Sequence, residues 1–334
     1  MTLPVATPSL ADIRQAREVI AGRVLCTPLI PAPAFSGSTE ILLKLESLQP
    51  TGAFKLRGAT NAIHHLTAAE RAGGVGCCST GNHGRAVAYA AAQAGLRAIV
   101  CLSSLVPSAK VDAIAALGAD IRRVGDSQDA AQTEIDRLVR EERLTDIPPF
   151  DHPRVIEGQG TIALELLEER PDLATIVVPL SGGGLISGIA IAAKALKPDI
   201  RIIGVSMQRG AAMHESLAAG RPIAVTEAPS LADSLGGGIG IGNRWTFAIC
   251  RALVDETILL SEAEIYRGMR ALFCEQRLVS EGAAAVGVAA LLAGKLALNG
   301  PTALIVSGHN VDPAQFLAVA GGESVRIGDQ IVKG

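Results

Sequence analysis

Short apolar runs alternate along this chain with longer segments in which apolar residues recur every three or four positions. The short runs predict buried strands, and the longer segments predict amphipathic helices. The predicted strands cover residues 41–46, 77–79, 97–102, 121–124, 174–180, 200–205, 257–260 and 302–306. The predicted helices cover residues 9–22, 59–66, 85–94, 107–117, 161–170, 185–196, 261–277 and 281–293. This alternation predicts an α/β fold of parallel sheets with helices on their faces.

The size and composition of the chain suit two domains with a large buried core. The chain has 334 residues, of which 49% are apolar and 19% are charged, so disorder is not expected. The Pro-rich segment Ile147–Phe150 is the best candidate for a crossing between the domains. The net charge is −3 and no cluster of lysines and arginines stands out, so neither nucleic acid nor an anionic membrane is an expected partner.

The cysteines and the N-terminal segment indicate a protein of the cytoplasm. Cys77 and Cys78 are adjacent, and no Cys-x-x-Cys spacing occurs, which suits neither a disulfide nor a zinc site. No basic segment precedes an apolar stretch near the N-terminus, so a signal peptide is not expected. The longest uncharged apolar run, Gly282–Gly294, is shorter than the roughly 20 residues of a membrane-spanning helix. We therefore expect a soluble, cytoplasmic protein with reduced thiols.

One lysine stands where a predicted strand leads through a loop into a predicted helix. Lys55 lies among small residues in the segment Thr51–Gly58, between strand 41–46 and helix 59–66. Most lysines are solvated at the surface, and Lys55 taken alone would be expected there too. Three polar loops at the ends of other predicted strands change that expectation.

The first of these loops is glycine-rich and lies between strand 174–180 and helix 185–196. In Ser181-Gly182-Gly183-Gly184, the glycines let backbone N–H groups and the helix dipole approach a phosphate. The alternative is a tight turn that binds nothing. A dinucleotide is disfavoured because Ser187 stands at the third glycine position and the next strand ends without an acidic residue. A small phosphorylated cofactor fits better.

The other two loops carry hydrogen-bonding side chains at strand ends. The loop at residues 79–84 places the side chains of Ser79, Thr80, Asn82 and His83 at the start of a helix. Converging donors at a positively polarised helix N-terminus suit a carboxylate, although an ordinary helix cap with a neighbouring histidine is the alternative. The segment Ser307–Asn310 follows strand 302–306. Ligands of open α/β sheets bind outside the carboxyl ends of strands, so these loops and Lys55 could converge on one crevice.

Five motifs in series resemble those of the pyridoxal-phosphate enzymes of fold type II, and most closely the threonine/serine dehydratases and serine racemases. The motifs are Gly52–Ala59 around the cofactor lysine, Ser79–Gly84 at the substrate loop, Asp151–Thr161, Ser181–Leu185 at the phosphate loop, and Ser307–Asn310. The resemblance covers most of residues 25–310. The phosphate loop departs from the family pattern by a serine in place of the first glycine.

The resemblance implies two open parallel-sheet domains, similar to the β subunit of tryptophan synthase, with pyridoxal 5′-phosphate in the cleft between them. The larger, cofactor-binding domain would comprise residues 1–70 and 150–334. The smaller domain, which carries the substrate loop, would comprise residues 71–149. A homodimer is the assembly that the resemblance implies.

The resemblance also implies a role for each motif residue. Lys55 would hold the cofactor as a Schiff base and remove the substrate proton, and Thr80 would be a second catalytic group. Phe54 would pack near the cofactor, Asn82 would bind its 3-hydroxyl group, and Ser307 would face the pyridine nitrogen. The phosphate would lie on the backbone N–H groups of Ser181, Gly182, Gly183, Gly184 and Leu185. The substrate carboxylate would bind to Ser79, Thr80 and His83, and Ser234 and Glu281 are further candidates near the ring.

The reaction implied by this resemblance is the loss of water from a β-hydroxy amino acid. A neutral serine at the pyridine nitrogen stabilises a carbanion less than an aspartate would. Immediate loss of the β-hydroxyl group is therefore favoured over transamination or racemisation. The expected products are a keto acid and ammonia. Racemases of this family carry a serine at the position of Thr80, so racemisation is expected to be secondary.

Two further departures from the family pattern concern regulation and metal binding. The family's divalent-metal site usually begins with a glutamate just after the strand that matches Ile202–Val205, where this chain has Ser206. We therefore predict that no metal ion binds there. The chain ends without room for the C-terminal regulatory domain of biosynthetic threonine dehydratases, so feedback control by isoleucine is not expected.

The predicted substrate is a small hydroxylated amino acid. The stretches Gly204–Met213 and Ala232–Gly240 resemble most the hydroxyectoine-utilisation dehydratases, which suggests a role in hydroxyectoine catabolism. L-Threonine or L-serine is the alternative substrate. Rival functions are a β-replacement synthase or a racemase on the same scaffold, a nucleotide-linked oxidoreductase that uses loop 181–188, and a binding module without catalysis.

Overall fold

The computed structural model of the protein describes residues 7–79, 81–106 and 108–333. Its strands are β1 (Leu29–Pro31), β2 (Ile41–Lys44), β3 (Val75–Cys78), β4 (Ala98–Leu102), β5 (Asp120–Arg123), β6 (Thr145–Asp146), β7 (Thr175–Pro179), β8 (Arg201–Met207), β9 (Glu256–Leu260), β10 (Thr302–Ile305), β11 (Val325–Ile327) and β12 (Gln330–Val332). In the described residues, six strands form a larger sheet in the order β1-β2-β10-β7-β8-β9, and four form a smaller sheet in the order β5-β4-β3-β6. Strand β1 runs antiparallel to β2, and the other neighbours in both sheets are parallel. Strands β11 and β12 form a separate antiparallel hairpin.

Helices connect the strands in both sheets. They are α1 (Leu10–Ile20), α2 (Lys55–His64), α3 (Ala68–Ala72), α4 (Asn82–Gln93), α5 (Ser108–Ala115), α6 (Gln128–Glu142), α7 (Pro153–Glu169), α8 (Gly184–Leu196), α9 (Ala212–Ala219), α10 (Thr246–Leu253), α11 (Glu262–Gln276), α12 (Gly282–Leu292) and α13 (Pro313–Gly321). Short 3₁₀ turns lie at Pro33–Phe35, Glu46–Leu48 and Asp233–Leu235.

The larger sheet is buried on both faces, because a core cluster with helices lies on each side of it. Successive side chains of each strand point to opposite sides and so enter different clusters. Val177 belongs to the core cluster that packs under α12. Its neighbours Ile176 and Val178 belong to the cluster that contains α8. This two-sided burial explains why the strands are continuous apolar runs and not alternating ones. The expected α/β class with two parallel-dominated sheets is confirmed.

Helix α7 begins at Pro153, eight residues before the predicted helix 161–170. The predicted start was wrong, and Gly158 and Gly160, which precede it, lie inside the helix and serve close helix packing. A Cβ atom on Gly158 would lie 2.6 Å from the carbonyl oxygen of Arg57, and one on Gly160 would lie 2.8 Å from that of Gly188. These glycines therefore let α7 approach α2 and α8 more closely than any larger residue would.

Most other predicted elements are present, with bounds that differ by a few residues. Ser9 caps α1 and forms a reciprocal capping box with Asp12. Helices α3, α6, α9, α10 and α13 had no counterpart among the predicted elements. Pro107, the predicted first residue of one helix, lies outside the described residues. The division into domains at residues 70 and 150 stays a prediction.

The polar loops follow the carboxyl ends of β3, β7 and β10, which is the edge where ligands of open α/β sheets bind. Strand β10 is hydrogen-bonded to β7 within the larger sheet, whereas β3 belongs to the smaller sheet. A site formed by all three loops therefore lies between the two sheets. In the part of the chain that the structure describes, no helix has the length and apolar character needed to span a bilayer.

Candidate active site

A cavity of about 610 Å³ lies between these loops. Its wall includes all predicted site residues that the structure describes, namely Phe54, Lys55, Ser79, Asn82, His83, Ser181, Gly182, Gly183, Gly184, Leu185, Ser234, Glu281 and Ser307. Thr80, predicted as a catalytic and substrate-binding residue, lies outside the described residues. The structure thus brings the three loops and Lys55 together, as their positions at strand ends suggested.

Lys55 is the first residue of α2, and the loop before it is tied to the end of β10. The N–H group of Phe54 donates to the carbonyl of Ser307 at 3.0 Å. The Lys55 amine donates to the carbonyl of Pro149 at 2.6 Å. Burial lowers the pKa of Lys55 to about 8, although the negative charge of Glu281 acts in the opposite direction. With this pKa, roughly a tenth of the amine is unprotonated at pH 7, in the form that a base or nucleophile requires.

A buried network of ion pairs holds the first turn of α2. Arg57 is fully buried and donates to both carboxylate oxygens of Glu46 at 2.8 Å. It also donates to Glu165 at 2.6 Å, and the Lys44 amine donates to the other oxygen of Glu165 at 2.6 Å. Two cations and two anions therefore compensate each other in the interior. Since Arg57 lies two residues after Lys55, the network fixes how the helix presents Lys55 to the cavity.

The glycine loop begins α8, and Gly183 is its N-cap with a φ of 88°. No described side chain caps the helix, so the first N–H groups of α8 are open to a phosphate. A Cβ atom on Gly182 would lie 2.4 Å from the ring of Phe150, and one on Gly184 would lie 2.9 Å from its Cα. Two of the three glycines are therefore needed for packing against Phe150 as well, which the sequence did not indicate.

Helix α4 begins at Asn82, three residues earlier than predicted, with Gly81 as its N-cap and no cap from a described side chain. Asn82 and His83 are buried at this end of the helix and line the cavity. The Oγ of Ser79 accepts a hydrogen bond from the N–H of Gly81 at 3.4 Å. The loop therefore lies at the positive end of the helix dipole, where a carboxylate is stabilised.

The side chain of Asn82 is held on both sides by other residues of the wall. Its amide group donates to the two carboxylate oxygens of Glu281 at 2.9 and 3.0 Å. Its carbonyl oxygen accepts a bond from Asn310 at 2.7 Å, and Asn310 also donates to the carbonyl of Thr51 at 2.9 Å. This chain of bonds links the lysine loop, the substrate loop and the end of β10.

The imidazole of His83 is neutral and has its donor already in use. Nε2 lies 2.6 Å from the carbonyl of Ile147, and since a carbonyl only accepts, Nε2 must carry the proton. Nδ1 is then an acceptor, buried and without a hydrogen-bond partner in the described residues. Burial and the charge of Lys55 lower the pKa of His83 to about 3. The side chain therefore offers a carboxylate a lone pair and no proton, so its predicted role in substrate binding would have to come from its backbone N–H.

The remaining serines differ in their surroundings. Ser307 is buried in the cavity wall directly after β10, as a partner of a cofactor ring would be. Ser234 is exposed at the rim, where its hydroxyl donates to Asp233 at 3.3 Å.

Ser206, at the position where the family's metal site usually begins, is buried on β8. The described residues contain no group of three or more His, Cys, Asp or Glu side chains that could hold a metal. The absence of a metal ion stays a prediction.

Several residues of the site had no predicted role. Pro149 and Phe150, which contact Lys55 and the glycine loop, were noted only as a crossing between domains. Asn310 belonged to a motif without a stated contact. Arg85 lines the cavity and lies three residues after Asn82 in α4, and this spacing, which places both on one helix face, could have identified it.

The described residues fit pyridoxal phosphate. A desolvated amine with a lowered pKa suits its aldehyde, and the uncapped start of α8 suits its phosphate. Lys55 and the loop Ser181–Leu185 line the same cavity, and the positive φ of Gly183 requires a glycine in the loop. Lys55, Ser307 and this loop would hold the cofactor.

Comparisons with known proteins agree with this chemistry. The family model described as pyridoxal-phosphate dependent enzyme matches residues 20–308. The chain is 54% identical to a putative threonine dehydratase of Sinorhizobium fredii over 307 residues, which cover 91% of this chain and 92% of that protein. It is 39% identical to the catabolic L-threonine dehydratase of Escherichia coli over 324 residues, 96% of this chain and 97% of that protein. The structure of maize serine racemase matches with a TM-score of 0.89 and 34% identity, covering 93% of this chain and 96% of that chain.

Proposed function

The chain belongs to the pyridoxal-phosphate dependent enzymes of the threonine dehydratase and serine racemase family, and we propose that it removes water from a β-hydroxy amino acid. The observation that carries this proposal is the half-buried Lys55 amine, with a pKa of about 8, in one cavity with the start of α8 and the start of α4. The Lys55 amine suits a base, the start of α8 suits a phosphate, and the start of α4 suits a substrate carboxylate.

When bound, pyridoxal phosphate supplies an electron sink that acidifies the proton on the substrate Cα. Lys55 accepts that proton, because its desolvated amine is partly neutral at physiological pH. The carbonyl of Pro149, 2.6 Å from Nζ, orients the amine. The buried network around Arg57 keeps the first turn of α2 in place during the proton transfer.

Loss of the β-hydroxyl group as water then leaves an enamine of the substrate, which hydrolyses to a keto acid and ammonia. Ser307 would favour this outcome, because a neutral hydroxyl group near the pyridine nitrogen would stabilise negative charge on the substrate less than a carboxylate would. The substrate would then lose its β-leaving group before its Cα atom could be reprotonated. The names of the dehydratases from Sinorhizobium fredii and Escherichia coli support the same reaction.

The roles of the other wall residues belong to the same proposal. Phe54 would pack near the cofactor, and Asn82, which is held by Glu281 and Asn310, would bind the 3-hydroxyl group of the cofactor. The backbone N–H groups of Ser181–Leu185 would bind the phosphate. Ser79, Thr80 and the first N–H groups of α4 would bind the substrate carboxylate. Thr80 would also be a second catalytic group, and Ser234 and Glu281 are further candidates near the ring.

For the substrate, we propose a hydroxylated amino acid of hydroxyectoine catabolism. This finer proposal is supported by the resemblance of Gly204–Met213 and Ala232–Gly240 to the hydroxyectoine-utilisation dehydratases. Of these stretches, residues 233–237 line the cavity, where a substrate would bind. L-Threonine and L-serine are the alternative substrates.

The experiment that tests the proposal is a product assay on the purified protein with pyridoxal phosphate. The panel contains L-threonine, L-serine, 3-hydroxyaspartate, hydroxyectoine and its ring-opened derivatives, with 2-aminobutyrate as a control that lacks the β-hydroxyl group. Equal amounts of keto acid and ammonia, and none from 2-aminobutyrate, are the expected result. Formation of the D-amino acid alone would identify a racemase, and a product only with an added nucleophile would identify a β-replacement enzyme.

Two further parts of the proposal concern the compartment and the oligomeric state of the enzyme. All six cysteines are free thiols, which suits a reducing cytoplasm. The homodimer implied by the resemblance can be tested by light scattering of the purified protein. A mass equal to one chain at micromolar concentration would contradict it.

A further inference from the structure

Arg85 is a cation in the cavity wall that none of the roles above employs. Among the described residues that line the cavity, Lys55 and Arg85 have side chains that can be cationic near neutral pH. The imidazole of His83, in the same wall, is neutral. Arg85 lies in the first turns of α4, three residues after Asn82, and therefore on the same face of the helix. Side chains of a helix lean toward its N-terminus, and Arg85 lines the same cavity as Asn82 and His83 at the start of α4.

The guanidinium of Arg85 is partly buried and has no hydrogen bond or ion pair with any residue that the structure describes. A guanidinium has five N–H donors in a planar arrangement that matches a carboxylate. Burial lowers the pKa of Arg85, although the charge of Glu281 acts in the opposite direction. A partly desolvated cation that lacks a bonded partner among the described residues is suited to a partner from outside the protein.

The carboxylate site at the start of α4 lacks a cation in the roles described so far. His83 is neutral and its proton is committed to Ile147, so its side chain has no donor for an anion. Glu281, bonded to Asn82 at the same end of the helix, repels any further negative charge. Backbone N–H groups and one serine hydroxyl would have to hold a carboxylate against that repulsion.

We propose that Arg85 binds the α-carboxylate of the substrate by a charge-assisted, bidentate hydrogen bond, and so selects free amino acids over their neutral analogues. The inference rests on the proposed function only in taking this cavity as the active site. It does not depend on the reaction, because Arg85 would bind the carboxylate of any amino acid that enters the cavity. It makes Arg85 a substrate-binding residue beside the N–H groups of Asn82 and His83. The guanidinium also offsets the charge of Glu281 when a carboxylate is present.

The test compares a carboxylate ligand with its amide in the wild type, Arg85→Gln and Arg85→Lys. Binding of L-alanine and L-alaninamide is followed through the visible absorption of the bound cofactor, and neither ligand has a β-leaving group. We expect Arg85→Gln to weaken the binding of L-alanine by about 10- to 100-fold, the usual range for losing a charged hydrogen bond. The binding of L-alaninamide should change much less, and Arg85→Lys should recover part of the loss.

Arg14→Gln serves as the matched control, because it removes the same charge from an exposed position on α1, outside the cavity wall. A retained cofactor spectrum in Arg85→Gln shows that the variant is folded. Equal losses for L-alanine and L-alaninamide, or a loss below about twofold for L-alanine, would overturn the inference. In the product assay, KM for each active substrate should rise in Arg85→Gln more than kcat falls.

The two proposals fail in different ways. If no β-hydroxy amino acid yields a keto acid while Arg85→Gln still loses its preference for L-alanine, the proposed reaction is wrong and the assignment of Arg85 stands. If keto acid forms but the preference for the carboxylate is the same in wild type and Arg85→Gln, the assignment of Arg85 is wrong and the reaction stands.

Discussion

The side-chain amide of Asn82 donates to both carboxylate oxygens of Glu281, at 2.9 and 3.0 Å, across 199 residues of sequence. Glu281 is buried, and its charge acts on Lys55 and on Arg85 as well. One carboxylate therefore positions Asn82 and sets part of the electrostatic potential at both cations of the cavity. Changes at Glu281 should be visible in the titration of Lys55.

We expect Glu281→Gln to shift the pH dependence of cofactor loading to lower pH. Only the unprotonated Lys55 amine reacts with the aldehyde, so loading of the apoprotein should accelerate as pH rises through about 8. Glu281 raises the pKa of Lys55, so loss of its charge lowers that pKa further. The measurement is the rate of loading against pH. Glu262→Gln, outside the cavity wall, is the control, and an unshifted midpoint in Glu281→Gln would contradict the coupling.

Replacing Lys55 by alanine should abolish the visible absorption of the bound cofactor and reduce keto-acid formation by about 10³-fold or more. The removal of one catalytic base accounts for roughly 10²- to 10⁴-fold, and weaker cofactor attachment adds to it. The measurements are the absorption spectrum and the rate of product formation. Lys333→Ala, at an exposed position on the last residues of the described chain, should match the wild type. Full activity in Lys55→Ala would disprove the proposed function.

Alanine at Gly183 should weaken cofactor binding by about tenfold or more. Its φ of 88° costs an L-residue roughly 1–2 kcal/mol, and a Cβ atom would lie 2.7 Å from Cε of Met213. Gly220→Ala is the matched control, since Gly220 also has a positive φ of 71°, but a Cβ atom there would have no described neighbour within 4 Å, and Gly220 lies outside the cavity wall. Equilibrium dialysis with pyridoxal phosphate measures the difference. Similar affinities of the two variants would mean that the loop does not hold the phosphate.

Breaking the buried pair between Arg57 and Glu46 should destabilise the fold far more than breaking a surface pair. Arg57→Ala leaves Glu46 buried without its cation, which costs about 3–5 kcal/mol. Arg17→Ala, which breaks an exposed pair with Glu168, should cost about 1 kcal/mol or less. The free energy of unfolding from urea denaturation distinguishes the two. Equal values would show that the network contributes no more than a surface contact.

The same pair predicts a loss of stability in acid. Burial raises the pKa of Glu46, but the charge and hydrogen bonds of Arg57 more than compensate, so the pKa in the folded protein lies below its usual value. A lowered pKa stabilises the fold at pH values above the unfolded pKa of about 4.3, and this contribution disappears as pH falls through the folded value. Unfolding curves of the wild type between about pH 7 and pH 3 should converge toward those of Arg57→Ala at the acid end.

The sequence by itself determined the class of fold, because strand and helix periodicity are local properties of the chain. Apolar runs such as 174–180 and 302–306 predicted buried parallel strands, and β7 and β10 lie there. The position of polar loops directly after such strands also indicated where a ligand would bind. The start of α7 escaped prediction, because Gly158 and Gly160 are locally typical of turns and only the neighbouring helices give them another purpose.

The tertiary structure alone decided which polar atoms are used within the protein and which are left for a ligand. Nothing in the order of residues shows that Ile147 takes the proton of His83, that Pro149 orients Lys55, or that Arg85 is left without a bonded partner among the described residues. Such pairings depend on which strand ends meet and how deeply each group is buried, and the partners are separated by tens to hundreds of residues. Burial then shifts the pKa values of Lys55 and His83, and these shifts decide which of them can act as a base.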